Sequence, residues 1–435
     1  MTVWSAEQVL ALAPDATGAA AGRRLGTPAP WSGTGHSAAD GALWGLCRGS
    51  GSKPYQTVVD LGGPAYKCSC PSRKFPCKHA LGLLLLWSDA QVGPAEAPDW
   101  VHAWLATRAA KAVPAAPRPP DADAARDRAD RRADRVAGGI DELDRWLADQ
   151  VRTGLAAVPG GGYRHFESVA ARMVDAQAPG LAGTLRRLPG VAAGPEGWQS
   201  DLLEELALLR LTVTAHRHLD RLPPDLAASV RREVGYPVAK DDVLAGPAVA
   251  DRWQVLGRRD SDQERISTRR VWLRGQHSGR PALVLSFGVN GDALDGSLIP
   301  GTTLDADLHF YPGAAPLRAI VGVRRGEPAP LDPLAGGDLA DAARAFAAAV
   351  AADPWTWSWP VVLAGVLPVP GEPRWQVRDD GGRRLPLRPS GADLWRLLAV
   401  SGGRPVTLAG ELTARGLRPL SVVDTGAGAE RLVAL

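Results

Sequence analysis

Residues 57–87 decide how the front of this chain folds, and they read TVVDLGGPAYKCSCPSRKFPCKHALGLLLLW. Gly62-Gly63 separates two strand-like runs, and glycine adopts the positive φ of a tight hairpin turn without a steric clash. After Pro76, a compact apolar block from Leu81 to Trp87 indicates a helix that begins close to Cys77. The stretch therefore predicts a small ββα unit.

Three cysteines and one histidine are placed to meet in this unit. Cys68 and Cys70 stand two residues apart at the predicted end of the second strand, where side chains two apart point to the same face. Cys77 and His79 fall at the predicted first turn of the helix. Three thiolates and one imidazole form a closed set that Zn²⁺ prefers, so the sequence predicts one structural zinc ion. An ordinary core containing these side chains is the alternative, and the spacing favours the metal.

The spacing Cys-x-Cys, six residues, Cys-x-His is similar to that of the SWIM zinc finger, and all four ligand positions match. The resemblance covers residues 50–90, and the segment from Trp4 onward resembles the lead-in of bacterial SWIM proteins. It implies zinc binding together with a DNA-binding or protein-interaction role. Bacterial SWIM proteins of this form are associated with MoxR-type AAA+ ATPases and von Willebrand factor A proteins. The resemblance therefore also implies an alternative role as scaffold or adaptor in such a multi-protein system.

The remaining cysteine, Cys47, lies well before the other three. We interpret it as a small buried thiol that packs beside Trp44. The alternative is a zinc ligand that takes the place of His79. The sequence leaves both interpretations open.

Positive charge is concentrated around the predicted zinc site. Residues 61–88 contain no Asp or Glu and four cations, namely Lys67, Arg73, Lys74 and Lys78. The whole chain has 50 basic and 47 acidic side chains, which excludes a surface that attracts nucleic acid everywhere. Two interpretations stay open: the four cations contact phosphates or a protein partner, or they offset the formal charge of −1 on zinc with three thiolates.

The length of 435 residues predicts about three domains, because a single hydrophobic core stops growing well before this size. We predict an α+β protein with an N-terminal domain over 1–110, in which the zinc finger occupies about 50–90. A Pro/Ala linker over 111–121 leads to a helical domain over 122–236. A β-rich α+β domain over 237–435 completes the chain.

The helical domain is predicted from apolar residues that recur at helical spacing between residues 140 and 234. Breaks at Pro159-Gly160, Leu188-Pro189-Gly190 and Pro223-Pro224 divide it into four or five segments. Before it, residues 121–135 contain five Asp and five Arg. Because the net charge of that run is zero, we predict a solvated charged helix.

Two further groups of polar residues could suggest metal sites, and both are better explained otherwise. His216 and His218 lie about 200° apart on a helix, so we predict surface histidines rather than a ligand pair. Asp305, Asp307 and His309 alternate with apolar residues and could hold a hard cation. That alternation is also typical of a strand with one wet face, which is the favoured interpretation.

The sequence carries no catalytic signature. It lacks the phosphate-binding loop, the nucleophile elbow, the His-Glu-x-x-His helix and the dinucleotide-binding glycine pattern, so we expect no enzymatic activity. No Lys or Arg precedes Arg23, so the start lacks the charge of a secretory signal. No apolar run approaches the ~20 residues of a membrane span, and we expect a cytoplasmic protein without membrane contact.

Overall fold

The computed structural model describes most of the chain, over residues 4, 6–14, 16–49, 51, 53–61, 65–72, 76–112, 122–155, 158–194, 197–263, 266–289, 294–371, 374–388, 394–425 and 431–435. The predicted turn at Gly62-Gly63 lies outside the described residues, as do residues 113–121 of the predicted linker. Among the described helices, none combines the length and apolar character that crossing a membrane requires.

The N-terminal region contains a four-stranded antiparallel sheet in the order β1-β2-β3-β4. Its strands are β1 (Trp31–Ser37), β2 (Ala42–Cys47), β3 (Tyr55–Asp60) and β4 (Ala65–Cys68). Four helices accompany the sheet: α1 (Ala6–Ala11), α2 (Ala16–Leu25), α3 (Lys78–Ser88) and α4 (Asp99–Ala112). The predicted ββα unit is β3, β4 and α3, and the rest of the region surrounds it.

Helix α3 is apolar on every side, as expected for a helix that is packed on all faces. It packs against α1, α2 and the sheet, and four of its leucines are at most 1% exposed: Leu81, Leu83, Leu84 and Leu86. The contact with α2 requires glycine on both helices. A Cβ at Gly82 would lie 2.6 Å from the Cβ of Leu25, and one at Gly22 would lie 2.7 Å from the Cβ of Leu81.

The central region is helical, as predicted. Its main helices are α5 (Ala122–Thr153), α6 (Val158–Asp175), α7 (Pro179–Ala192), α8 (Trp198–His216) and α9 (Pro224–Val234), followed by the short α10 (Lys240–Ala245). Helices α5 to α8 contribute most of one continuous apolar core, to which α9 adds Val234. Two predicted breaks are confirmed, because α6 begins at Val158 and α9 begins at Pro224.

The predicted break at Pro189-Gly190 is wrong, because α7 continues through Pro189 to Ala192. Proline removes one backbone hydrogen bond, which is a small loss this close to the end of a helix. Leu185 and Leu188 are fully buried in the helical core, and Val191 packs against it. The burial of these side chains maintains the helix past the proline.

The first part of the C-terminal region is a closed five-stranded barrel in the order β5-β6-β7-β9-β8. Its strands are β5 (Ala248–Gln263), β6 (Ile266–Gly275), β7 (Pro281–Val289), β8 (Thr302–Phe310) and β9 (Arg318–Pro330). Neighbours are antiparallel except for β7 and β9, which are parallel. Alternate side chains, including Trp253, Val271 and Leu304, fill the barrel interior.

The second part is a six-stranded sheet in the order β12-β11-β10-β13-β14-β15, accompanied by two helices. The elements are α11 (Leu339–Ala352), β10 (Trp359–Val369), β11 (Gln376–Arg378), β12 (Arg384–Pro386), α12 (Leu394–Ser401), β13 (Val406–Thr413), β14 (Gly416–Asp424) and β15 (Arg431–Ala434). A separate apolar cluster containing Leu256, Trp272 and Leu420 packs the barrel against this sheet. The predicted α+β class, with a β-rich C-terminal region, is confirmed.

A buried polar network joins the helical region to the C-terminal region. The carboxylate of Asp353, only 1% exposed, accepts hydrogen bonds from the Ser229 hydroxyl at 2.6 Å and from Nη2 of Arg232 at 3.0 Å. Two residues further on, Nε1 of Trp355 donates to the Thr212 hydroxyl at 2.8 Å. The two regions are therefore held together by specific hydrogen bonds.

Candidate metal centre

The sheet and helix α3 bring the four predicted ligands together. Cys68 is the last residue of β4, and Cys77 is the N-cap of α3, with φ −73° and ψ 167°. His79 lies in the first turn of α3. Cys70 lies in a bend beyond β4, so its position does not come from the two-residue period of a strand, as the sequence had suggested. The bend brings the sulfur of Cys70 to within 4.8 Å of the other donor atoms.

The donor atoms are spaced as a tetrahedral zinc site requires. The three Sγ atoms and one ring nitrogen of His79 all lie within 4.8 Å of one another. Nδ1 of His79 is 3.7 Å from Sγ of Cys68 and 3.9 Å from Sγ of Cys77. With bonds of about 2.3 Å to sulfur and 2.0 Å to nitrogen, tetrahedral zinc ligands lie roughly 3.5–3.8 Å apart. The four residues fit one structural zinc ion.

The surroundings of the ligands suit an anionic zinc–thiolate centre. Each sulfur accepts a hydrogen bond from a backbone N–H two or three residues further on: Cys68 from Cys70, Cys70 from Ser72 and Cys77 from Ala80. Such donors stabilise negative charge on sulfur and fix the direction of each ligand. Cys77 and His79 are buried, whereas Cys68 and Cys70 are only partly buried.

Two residues that support the ligands were not identified from the sequence. The Thr57 hydroxyl lies 3.2 Å from Sγ of Cys68, and the Tyr55 ring lies 5.0 Å from the imidazole of His79. Thr57 faces Cys68 across the β3–β4 pair. A two-residue turn predicted at Gly62-Gly63 pairs Thr57 with Cys68 when the two strands are aligned from it, so the hairpin register was the signal that could have revealed Thr57.

The three ligand thiols differ in their affinity for protons. The pKa of Cys68 is lowered to about 4, chiefly because the Cys77 thiol donates a hydrogen bond to the Cys68 sulfur. The same hydrogen bond, together with burial, raises the pKa of Cys77. Burial raises the pKa of Cys70. These directions predict one thiolate, at Cys68, and two thiols in the metal-free site.

Cys47 is a separate buried thiol. It is fully buried at the end of β2, and it does not belong to the group of four donor atoms. Its Sγ lies 3.9 Å from the carbonyl oxygen of Arg48. Burial raises its pKa further above that of a free thiol, with a smaller contribution from the nearby Cys68. The prediction of a buried thiol is confirmed, and the alternative in which it replaces His79 is not supported.

The structure describes two of the four cations that were predicted to surround the site. Lys67 and Lys78 are exposed, and neither makes an ion pair with any residue that the structure describes. Lys78 is close enough to Cys47 to lower the pKa of that thiol. Arg73 and Lys74 lie outside the described residues. Two positive charges are therefore available to an external ligand on the surface of the zinc module.

The other polar groups considered as metal sites do not form one. Asp307 binds Nη2 of Arg325 at 2.6 Å, Asp305 lies 3.4 Å from Nη1 of the same arginine, and His309 contacts the carbonyl oxygen of Gly246. The strand with one wet face is confirmed. Across the described part of the chain, the Cys₃His group is the one cluster of three or more His, Cys, Asp or Glu residues whose donor atoms could share an ion.

The prediction of two surface histidines is correct only for His218. His216 is half-buried, stacks on the ring of Tyr236 at 6.0 Å and places Nε2 3.1 Å from its hydroxyl. Burial lowers the pKa of His216. Tyr236 lies beyond the next helix, so periodicity along α8 gave no indication of this contact.

Two parts of the chain match known protein families. Residues 57–87 match the SWIM zinc finger, and this match contains all four ligands. Residues 131–234 match the SWIM-associated four-helix bundle domain, which corresponds to the helical region from within α5 to the end of α9. No curated protein and no solved structure matches the chain.

Proposed function

Because this chain is a SWIM zinc finger family protein, we propose that its zinc module is a non-enzymatic module that binds DNA or a protein partner. The closed ligand set supports a structural metal, because four protein donors leave no position for a substrate. The helical and β-rich regions then serve as scaffold or as a second contact surface. Of the two kinds of partner, we favour DNA.

The observation that carries this choice is the free positive charge beside the metal. Lys67 and Lys78 are exposed, and residues 61–88 contain no acidic side chain to neutralise them. The four cations of this segment exceed the single negative charge of a zinc ion with three thiolates. The excess supports contact with phosphates, which attract cations whatever the base sequence.

Fluorescence anisotropy with labelled duplex and single-stranded DNA at ~50 mM salt tests the proposal, since phosphate contacts are strongest at low salt. The double variant Lys67→Gln and Lys78→Gln is expected to bind more weakly. Its plot of log affinity against log salt is expected to be flatter by about 1.8, since each lost phosphate contact contributes about 0.9. Lys240→Gln is the matched control, because Lys240 is exposed at the start of α10, outside the zinc module. Absence of binding at ~50 mM salt would contradict the DNA role.

A second candidate function is that of a scaffold or adaptor for a MoxR-type AAA+ ATPase and a von Willebrand factor A protein. It is supported by an aromatic pair on the surface of the C-terminal region. Trp395 is 70% exposed and meets Trp375 edge to face at 5.1 Å. Exposed aromatic side chains are enriched at protein interfaces.

Co-purification from the native host tests the scaffold role. Recovery of either proposed partner with the wild-type protein, and its loss with Trp395→Ala, would support it. Trp357→Ala is the control, because Trp357 is also exposed but lies on a different segment. Recovery of nucleic acid alone would count against this function.

A further inference from the structure

The charged run at the start of α5 separates its two signs of charge onto different faces of the helix. Four arginines follow the spacing i, i+3, i+4, i+7 and share one face: Arg128, Arg131, Arg132 and Arg135. The acidic residues of the described run, Asp127, Asp130 and Asp134, lie on a face roughly 100° away. The zero net charge of the run therefore gave no indication of the strongly basic stripe that Arg128, Arg131, Arg132 and Arg135 form.

The arginine stripe lines a cleft of about 550 Å³, a size typical of small-molecule sites. The lining residues are Arg128, Ala129, Arg131, Arg132, Arg135, Gln177, Tyr236 and Pro237. No acidic side chain is among them. The cleft therefore combines a concave shape with four positive charges that no acidic lining residue offsets.

Arg132 is fixed in the cleft by the surrounding protein. Its Nη2 donates to the carbonyl oxygens of Gln177 at 3.0 Å and Gly235 at 3.1 Å. Its guanidinium lies 5.3 Å from the centre of the Tyr236 ring, which in turn stacks on His216. Its Nε is buried and has no hydrogen-bond acceptor among the described residues. A buried donor without an acceptor is costly, and the Arg132 side chain is nevertheless held at the cleft, where its positive charge faces a bound anion.

The other three arginines are available to such a ligand. Arg128, Arg131 and Arg135 are exposed, and none of them forms a hydrogen bond or ion pair with a described residue. Guanidinium groups bind phosphate oxygens through two parallel N–H donors. The stripe spans about 10 Å, from a rise of 1.5 Å per residue, which exceeds the width of a single phosphate group.

We propose that this cleft binds a compact anion of linked phosphate groups. Recognition is directed at the phosphates, because four guanidinium groups line the cleft and its one aromatic ring, that of Tyr236, is already in contact with Arg132 and His216. Arg132 positions one phosphate, and Arg128, Arg131 and Arg135 neutralise its neighbours. The site lies in the helical region and is independent of the zinc module.

Isothermal titration of the zinc-loaded full chain with tripolyphosphate at ~50 mM salt tests the proposal. We expect one tripolyphosphate per chain, with weaker binding of inorganic phosphate. The double variant Arg128→Gln and Arg131→Gln is expected to bind tripolyphosphate at least ~10-fold more weakly, since two charge-assisted contacts are lost. Arg128 and Arg131 are substituted, and Arg132 is left in place, because Arg132 makes hydrogen bonds to the backbone of the helical region. An unchanged thermal unfolding midpoint will verify that the double variant is folded.

Arg145→Gln is the matched control, because Arg145 lies further along α5, is exposed and does not line the cleft. Arg145→Gln is expected to change the affinity for tripolyphosphate less than twofold. The Lys67→Gln and Lys78→Gln double variant is expected to bind tripolyphosphate as the wild-type chain does, whether or not the zinc module binds DNA. The proposal would be overturned by the absence of tripolyphosphate binding to the wild-type chain, or by equal losses in the α5 double variant and the Arg145 control. It would also be overturned if a single-stranded oligonucleotide, and not tripolyphosphate, bound in an arginine-dependent way. Loss of tripolyphosphate binding in the lysine variant would place the anion on the zinc module and would also refute it.

Discussion

Loading zinc into the metal-free protein at about pH 7 is expected to release two protons from the three cysteine ligands. Zinc binds cysteine as the thiolate, so every ligand thiol must lose its proton. We expect Cys68 to have lost its proton already, because the Cys77 thiol donates a hydrogen bond to it and lowers its pKa to about 4. Cys70 and Cys77 have raised pKa values and remain protonated.

The proton count fixes the size and the sign of the pH dependence. Two protons released per zinc make the apparent affinity rise about 100-fold for each pH unit between about pH 6.5 and 7.5. Three ordinary thiols would be mostly protonated in this window and would release nearly three protons, giving a rise approaching 1000-fold. The two cases differ by nearly one proton, which is well within reach of measurement.

Isothermal titration of zinc in several buffers with different protonation enthalpies gives the number directly, from the slope of observed heat against buffer enthalpy. Ultraviolet absorbance of the metal-free protein supplies a second measure, because it counts thiolates. We expect one thiolate in the wild-type protein and none in the Cys68→Ser variant. Cys47→Ser is the control, because Cys47 lies outside the ligand group and its replacement leaves the count at two. A count near three would refute the hydrogen-bonded thiolate at Cys68, and a count near one would show that a second ligand is already ionised.

Two predictions concern stability. Leu84→Ala, at a fully buried position of α3, is expected to lower the free energy of unfolding by about 2.7–5 kcal/mol in guanidinium denaturation. Leu203→Ala, at a position that is 55% exposed, serves as its control, and equal losses would show that α3 is not packed as described. Asp353→Asn is expected to cost about 1.5–3 kcal/mol, because it weakens charge-assisted hydrogen bonds from Ser229 and Arg232. An unchanged unfolding midpoint for this variant would contradict the buried network between the helical and C-terminal regions.

Local spacing determined the metal centre, because its ligands lie within twelve residues of one another. The tight turn predicted at Gly62-Gly63 implies the register of the hairpin, and the ligand pattern Cys68 to His79 requires little information from the rest of the chain. Helical periodicity and proline positions likewise indicated the central helices. They failed at Pro189, where the burial of neighbouring side chains outweighs the loss of one hydrogen bond.

Tertiary structure alone decided which residues from distant segments meet. The closure of the barrel by β5 and β8, the tight crossing of Gly22 and Gly82 and the exclusion of Cys47 from the ligand group depend on long-range packing. The sequence contained the arginine spacing on α5, yet only the fold places Gln177 and Tyr236 opposite it to form a cleft. The physical reason is that spacing along a helix or strand fixes the direction of side chains, whereas the surface they face depends on the packing of the whole molecule.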